Sequence, residues 1–479
     1  MNIIRHSSLA LIIAFSLIAA SGCAVEPASN SNSATPAGSP SPSPSASPIS
    51  KVSTAIPVTL PVLDALFSDE AFKSNLKSKV ELTDEQITQL KKVAADEVAK
   101  LRESNTEEIS GKAEQSRQRA VEAIRGIVGE QKTEALLDLA REYWVKGGED
   151  LDGKDKAAES AATVLPNAVP KDTRVVVNIP AYRMDVFQNG SLIKSYKIGI
   201  GYPDFPLPTG LRKAQSIIFN PTWTPPDEPW VEKMKNINVG EKVAAGSKLN
   251  PLGPIKIPIG LPSLIHGGKS PAKLGTFASH GCVGLTSPQV QDFSKLLALV
   301  AGSEITDAAL KSYFADKTKT KVVKLDQSVP VELRYETIVV QDGKLHIYRD
   351  VYDQDTNTEE NLRAVLQAHG ASLDDFSEAE RRQVLDTLNA MSRNPKTVAA
   401  AGKSSPAASP ATPATDKVEK KPLVAETKKP AMKPIGKNQK EVVIELASLK
   451  GKGYPAAVNL DTGSGKPAPK AAATVAAAR

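Results

Sequence analysis

Two of the chain's five histidines and one of its two cysteines fall in one short window, Ile265-His266-Gly267-Gly268 and then, after a loop, Ser279-His280-Gly281-Cys282-Val283-Gly284-Leu285. A cysteine attacks a carbonyl as its thiolate, so it needs a base or a positive charge nearby to populate that form near neutral pH. Cys282 is therefore the candidate nucleophile, with His266 and His280 the histidines near enough in sequence to serve it. Gly281 removes a side chain beside the thiol, which lets substrate and backbone donors approach the same carbonyl, as an oxyanion site demands. His280 is read as a supporting group that hydrogen-bonds or packs beneath the site, ahead of a direct part in proton transfer. A zinc built on His266, His280 and Cys282 would have three ligands, but no further ligand or separate general base is evident, so the site is read without a metal.

The elements that must carry this window follow from periodicity. From Asp172 onward the sequence alternates in short β-type runs: 174–180, 183–187 and 192–200, with Asn189-Gly190 between the last two as a hairpin signal. An amphipathic helix is expected from Ser287 through Val290, Phe293, Leu296, Leu297 and Val300, and a further hairpin between 329–335 and 344–348 about Asp342-Gly343. Ahead of this mainly-β unit, residues 56–150 read as helical. Thr83 and Gln86 form a capping box with Leu82 and Ile87 as its staple. Ile87, Leu90, Ala94, Val98 and Leu101 recur at helical spacing, as do Val121, Ile124, Val128, Leu136, Leu139 and Tyr143 in a second amphipathic stretch. Residues 354–394 read as a helical segment and 395–479 as a low-complexity Ala/Pro/Lys-rich tail.

With 479 residues, the chain exceeds one ordinary core, since domains run to roughly 100–200 residues. Its 35 prolines and several Ala/Pro/Ser tracts point to a multidomain protein with disordered linkers. The net charge of +6, from 60 basic against 54 acidic residues, lacks the footprint of a nucleic-acid binder. Residues 1–22 read as a signal peptide: Arg5 is followed by an apolar run, Leu9 to Ile18, too short to span a bilayer. Ala20-Ser21-Gly22-Cys23 resembles a bacterial lipobox, which implies that Cys23 is acylated and becomes the mature N-terminus, held on a membrane by its lipid. Residues 23–55, with Ser39-Pro40-Ser41-Pro42 near their centre, are a tether reaching on the order of 100 Å when extended.

The His266…Ser279-His280-Gly281-Cys282 string resembles the signature of the YkuD-type L,D-transpeptidase catalytic domain, over residues 172–353. Pro206-Leu207-Pro208-Thr209-Gly210, Pro221-Thr222-Trp223-Thr224-Pro225-Pro226 and Asn250-Pro251-Leu252-Gly253 match that family in order. The resemblance implies a β-rich, sandwich-like catalytic domain that acts on peptidoglycan stem peptides through a thioester on Cys282, with His266 as base then acid and a carbonyl near Gly267 orienting its ring. Ser279, Gly267, Gly281 and His280 would support the site. An amine acceptor gives a 3-3 cross-link, and water gives an L,D-carboxypeptidase. The expected setting is a lipid-anchored position in the cell envelope, facing the periplasm or wall, with an outer membrane favoured where one exists. One departure from the family is Gly284, where arginine is usual; Lys269 or Lys273 could supply the missing charge. The Leu-Thr-x-x-Gln string at 82–86 resembles periplasmic Spy-type helical proteins, and Gly284 keeps open a competing reading as a non-catalytic envelope peptidoglycan-binding or chaperone lipoprotein.

Overall fold

The computed structural model describes residues 58–103, 113–146, 165–225, 237, 240–260, 263–392, 435–436 and 438–463. The expected signal peptide, Cys23 and the tether lie outside the described residues.

The N-terminal region is helical: α1 (Leu60–Leu66), α2 (Glu70–Ser78), α3 (Asp84–Glu103), α4 (Ala113–Val128) and α5 (Glu130–Lys146). The Thr83–Gln86 capping box is present, with Gln86 N–H donating to Thr83 Oγ1 at 3.2 Å and Thr83 N–H to Gln86 Oε1 at 3.1 Å. Leu90, Ala94, Ile124, Leu136 and Tyr143 meet in one buried cluster. The stretch from Val121 to Tyr143, read as one amphipathic run, is two helices. Gly129 adopts φ +82° between them and donates its N–H to the Arg125 carbonyl, a left-handed helix end that glycine tolerates without cost.

The β unit comprises β1 (Arg174–Asn178), β2 (Arg183–Gln188), β3 (Ser191–Lys197), β4 (Ile200–Gly201), β5 (Gly210–Phe219), β6 (Ile255–Pro258), β7 (Leu264–His266), β8 (Phe277–Ser279), β9 (Val283–Gly284) and β10 (Lys321–Arg334). Eight of these strands form a curled sheet in the order β3-β2-β1-β10-β5-β6-β7-β9, while β4 and β8 pair beside it. The β2–β3 hairpin turns at Asn189 and Gly190, both at positive φ, the conformation a two-residue turn needs. Helix α6 (Ser287–Val300) lays Val290, Phe293 and Leu297 into the sheet's core, with α7 (Asp307–Ala315) following.

A second sheet holds β11 (Ile338–Gln341), β12 (Lys344–Tyr348) and β13 (Glu441–Glu445), packed on α8 (Glu359–Ala368) and α9 (Glu378–Met391). Two expectations are corrected here. The Asp342-Gly343 hairpin joins β12 to 338–341, not to 329–335, because the latter run is the end of β10 and is already bonded between β1 and β5. Residues 438–463, read as part of a low-complexity tail, are built into the fold: β13 pairs with β12, and Val458 and Asp461 accept N–H bonds from Ser195 and Lys197 along the free edge of β3. That covers an edge strand otherwise open to pairing with another chain.

Candidate active site

His266 and Cys282 come together through strand register. β7 and β9 run parallel, with Ile265 opposite Val283 and His266 opposite Gly284, and Cys282, in the turn just ahead of β9, takes a hydrogen bond from the Leu264 backbone N–H. Side chains alternate along a strand: Ile265 and Val283 are buried in the core, which turns His266 to the opposite face of β7. Gly199 exchanges both backbone bonds with Gly284 at 2.9 Å, fixing β9 from its far side.

Three glycines in this region pack where a side chain would not fit or bend as other residues rarely do. A Cβ at Gly267 would meet Val290 of α6 at 2.6 Å and Pro254 at 3.1 Å. Gly253, the last residue of the Asn250-Pro251-Leu252-Gly253 string, has φ +66° and packs directly on the Gly267-Gly268 backbone. Gly281 has φ +90°, turning the chain immediately before the thiol.

His266 is 4% exposed, and its Nδ1 lies 2.8 Å from the Gly267 carbonyl oxygen. A carbonyl only accepts, so this bond puts the proton on Nδ1 and leaves Nε2 to act as base. Burial pulls the His266 pKa down to about 3, and the Lys269 charge pulls it the same way; the Gly267 and Leu252 carbonyls oppose both. Cys282 keeps part of its surface open. Desolvation pushes its thiol above the usual range, against the Leu264 backbone N–H and the Lys269 charge.

Ser279 clamps the turn: its Oγ accepts the Cys282 N–H at 3.0 Å and donates to the Cys282 carbonyl at 2.5 Å. Ser263 Oγ donates to the Gly281 carbonyl at 2.9 Å. His280 is exposed, its ring edge-on to Phe205 at 4.7 Å and tilted over Tyr202 at 5.4 Å. Among the described residues no group of three or more His, Cys, Asp or Glu side chains is arranged to hold a metal.

Lys269 occupies the space that Gly284 leaves. A Cβ on Gly284 would lie 2.9 Å from Lys269 Cγ and 3.0 Å from its Cε. The Lys269 backbone N–H donates to the Leu285 carbonyl at 3.0 Å, on the chain just beyond Cys282. Burial chiefly lowers its pKa, Cys282 raises it and Lys273 lowers it.

Sequence reasoning missed the Leu252 carbonyl, the Leu264 N–H and the loop from Tyr202 to Pro208. The first two are backbone atoms, which no residue type announces. The third reaches the site because Tyr202 N–H donates to the Ser279 carbonyl at 2.9 Å, and its only sequence signal was the proline-rich string at 206–210.

A family model described as the L,D-transpeptidase catalytic domain, YkuD, matches residues 172–323. No curated protein matches the chain. Among solved structures, an L,D-transpeptidase from Mycobacterium smegmatis is similar at 15% identity and a TM-score of 0.21, over 34% of this chain and 58% of that one. One from Mycobacterium tuberculosis H37Rv is similar at 17% identity and a TM-score of 0.19, over 34% and 57%. The catalytic domain of the E. faecium L,D-transpeptidase is similar at 16% identity and a TM-score of 0.19, over 35% of this chain and 100% of that one. The chain thus spans little more than half the length of the two mycobacterial structures.

Proposed function

With residues 172–323 forming an L,D-transpeptidase catalytic domain of the YkuD family, we propose that the chain is a cysteine acyltransferase acting on peptidoglycan stem peptides. The observation that supports this reading is the β7–β9 register, in which His266 pairs with Gly284 two residues after Cys282, together with the Leu264 backbone N–H directed at the thiol.

The thiol of Cys282 attacks the carbonyl between the third and fourth stem residues as its proton passes to His266 Nε2. The C–N bond breaks, the imidazolium returns the proton to the leaving amine, and terminal D-alanine departs, leaving a thioester. The side-chain amine of a neighbouring stem attacks that thioester, losing its proton to His266, and a 3-3 cross-link forms as the thiol is restored. Water in place of the amine yields a shortened stem, the L,D-carboxypeptidase outcome.

Lys269 supplies the positive charge that Gly284 lacks, holding either the nascent thiolate or the carboxylate of the donor stem. The packing of its stem over Gly284 and the absence, among the described residues, of a carboxylate paired with it both support this role. Acylation of Cys23 would place the enzyme on a membrane facing the wall, with residues 23–55 as its reach.

The test is mass spectrometry of products after incubating the chain lacking its first 23 residues, and its Cys282→Ala variant, with disaccharide-tetrapeptides. Cysteine-dependent release of D-alanine is expected, with dimers marking transpeptidation and tripeptides hydrolysis. No product from folded protein would overturn the enzyme reading in favour of an envelope peptidoglycan-binding or chaperone protein.

A further inference from the structure

One buried aspartate joins the helical region to the wall of the site. Asp204 is 1% exposed and sits in the loop between β4 and β5. Three groups of the helical region converge on it. Thr59, the N-cap of α1, donates its hydroxyl to the Asp204 carbonyl at 2.8 Å. Ser116 of α4 donates to Asp204 Oδ1, and an Arg119 guanidinium nitrogen lies 3.5 Å from the same oxygen. Arg119 is itself aimed by Glu97 of α3, whose carboxylate accepts from Nε at 2.8 Å.

On its other side this loop lies directly on the nucleophile's turn. Phe205 N–H closes onto the Tyr202 carbonyl at 2.9 Å, and Tyr202 N–H is held by the Ser279 carbonyl at 2.9 Å. The Phe205 and Tyr202 rings pack on His280. The backbone contact has no slack: a Cβ on Gly201 would overlap the Phe205 carbonyl and come within 3.2 Å of Gly281 N. Gly201 is pinned in turn by Tyr352, whose hydroxyl donates to its carbonyl at 2.9 Å and accepts the Leu207 N–H at 3.2 Å.

We propose that the helical region is a brace for the active site: through Thr59, Ser116 and Arg119 it fixes the Tyr202–Pro208 loop and so positions the Ser279–Cys282 turn. Arg119 and Ser116 are positioning residues in this account, acting through Asp204. The inference rests on the reading of Cys282 as the reactive thiol. A misplacement of a few tenths of an ångström at a thiol that must align with both a carbonyl and Nε2 lowers the rate of the chemical step far more than it lowers binding.

The experiment uses the chain lacking its first 23 residues and four variants: Arg119→Ala, Ser116→Ala, the conservative Arg119→Lys, and Arg125→Ala, which removes a distant ion pair with Glu130 on the same helical region. Two quantities are read: the rate of Cys282 alkylation by iodoacetamide, which needs no substrate, and kcat and KM for tetrapeptide donor. Arg119→Ala and Ser116→Ala should each change the alkylation rate several-fold and lower kcat on the order of tenfold with KM little altered. Arg119→Lys should recover most of the loss, and Arg125→Ala should match the parent. Alkylation and kcat at the parent's values in both alanine variants, or equal losses in Arg125→Ala, would overturn the brace. If the parent gave no product, the function proposed above would fail, and the alkylation contrast would still decide the brace.

Discussion

At the scale of single residues, burial acts on His266 and Cys282 toward one resting state. The imidazole is pulled down to about 3 and the thiol is pushed up, so neither carries charge before substrate arrives. The proposed nucleophile then forms as its proton leaves, not from a standing ion pair. Alkylation of Cys282 by iodoacetamide should therefore be slow at pH 7 and climb only above the usual thiol range; a fast plateau reached by pH 6 would contradict this. Stability carries the same signature. The folded value of His266 lies below its ordinary 6.5, so its contribution is complete above that pH and is lost as pH falls toward about 3. The urea midpoint of His266→Gln should accordingly vary less than the parent's across that window. For Lys269, removing a charge-assisted contact of about 1.5–3 kcal/mol predicts that Lys269→Ala weakens donor KM or slows acylation by roughly 10- to 100-fold. Adding Gly284→Arg to that variant should recover much of the loss, because truncating Lys269 frees the space over residue 284. A double variant no better than Lys269→Ala would separate Lys269 from that role.

At the scale of elements, the site depends on how closely α6 lies on β6 and the strand that ends in His266. Thr286 caps α6, and Gln289 closes the box while also donating to the Lys197 and Asp461 carbonyls. Loss of such a cap costs about 1 kcal/mol, so Thr286→Ala should lower the urea midpoint measurably. Gly267→Ala must push Val290 or Pro254 aside, and overpacking of this kind costs about 1–3 kcal/mol. Because Gly267 adjoins His266, its activity should fall by more than the stability loss explains, which kcat measured well below the unfolding midpoint will show. The hairpin turns and the Thr83–Gln86 capping box were readable because each depends on two or three neighbouring residues. The pairing of 329–335 was not, since a strand's partners are chosen by long-range register, which no local pattern encodes.

At the scale of the whole molecule, the C-terminal segment closes two sheets at once. Ile444, Leu446, Leu449 and Tyr454 are all buried, and burying each such side chain contributes about 1.5–3 kcal/mol. Truncation after Ser392 should thus remove a stabilisation comparable to a domain's whole margin of about 5–15 kcal/mol, giving aggregated or protease-sensitive protein in a limited-proteolysis assay. Reading by sequence alone determined the catalytic-domain family, placed over residues 172–353, and the mainly-β and helical division, and it singled out the thiol, the histidine and the glycines on which the proposed chemistry rests. Each of these is local chemistry or local periodicity. Only the tertiary structure decided that Lys269 lies over Gly284, that Leu252 and Leu264 offer their backbone to the site, that Asp204 receives two helices, and that residues 438–463 return to complete the fold. The physical reason is the same in all four cases. Burial and electrostatic coupling are set by which segments meet, and those segments lie far apart along the chain.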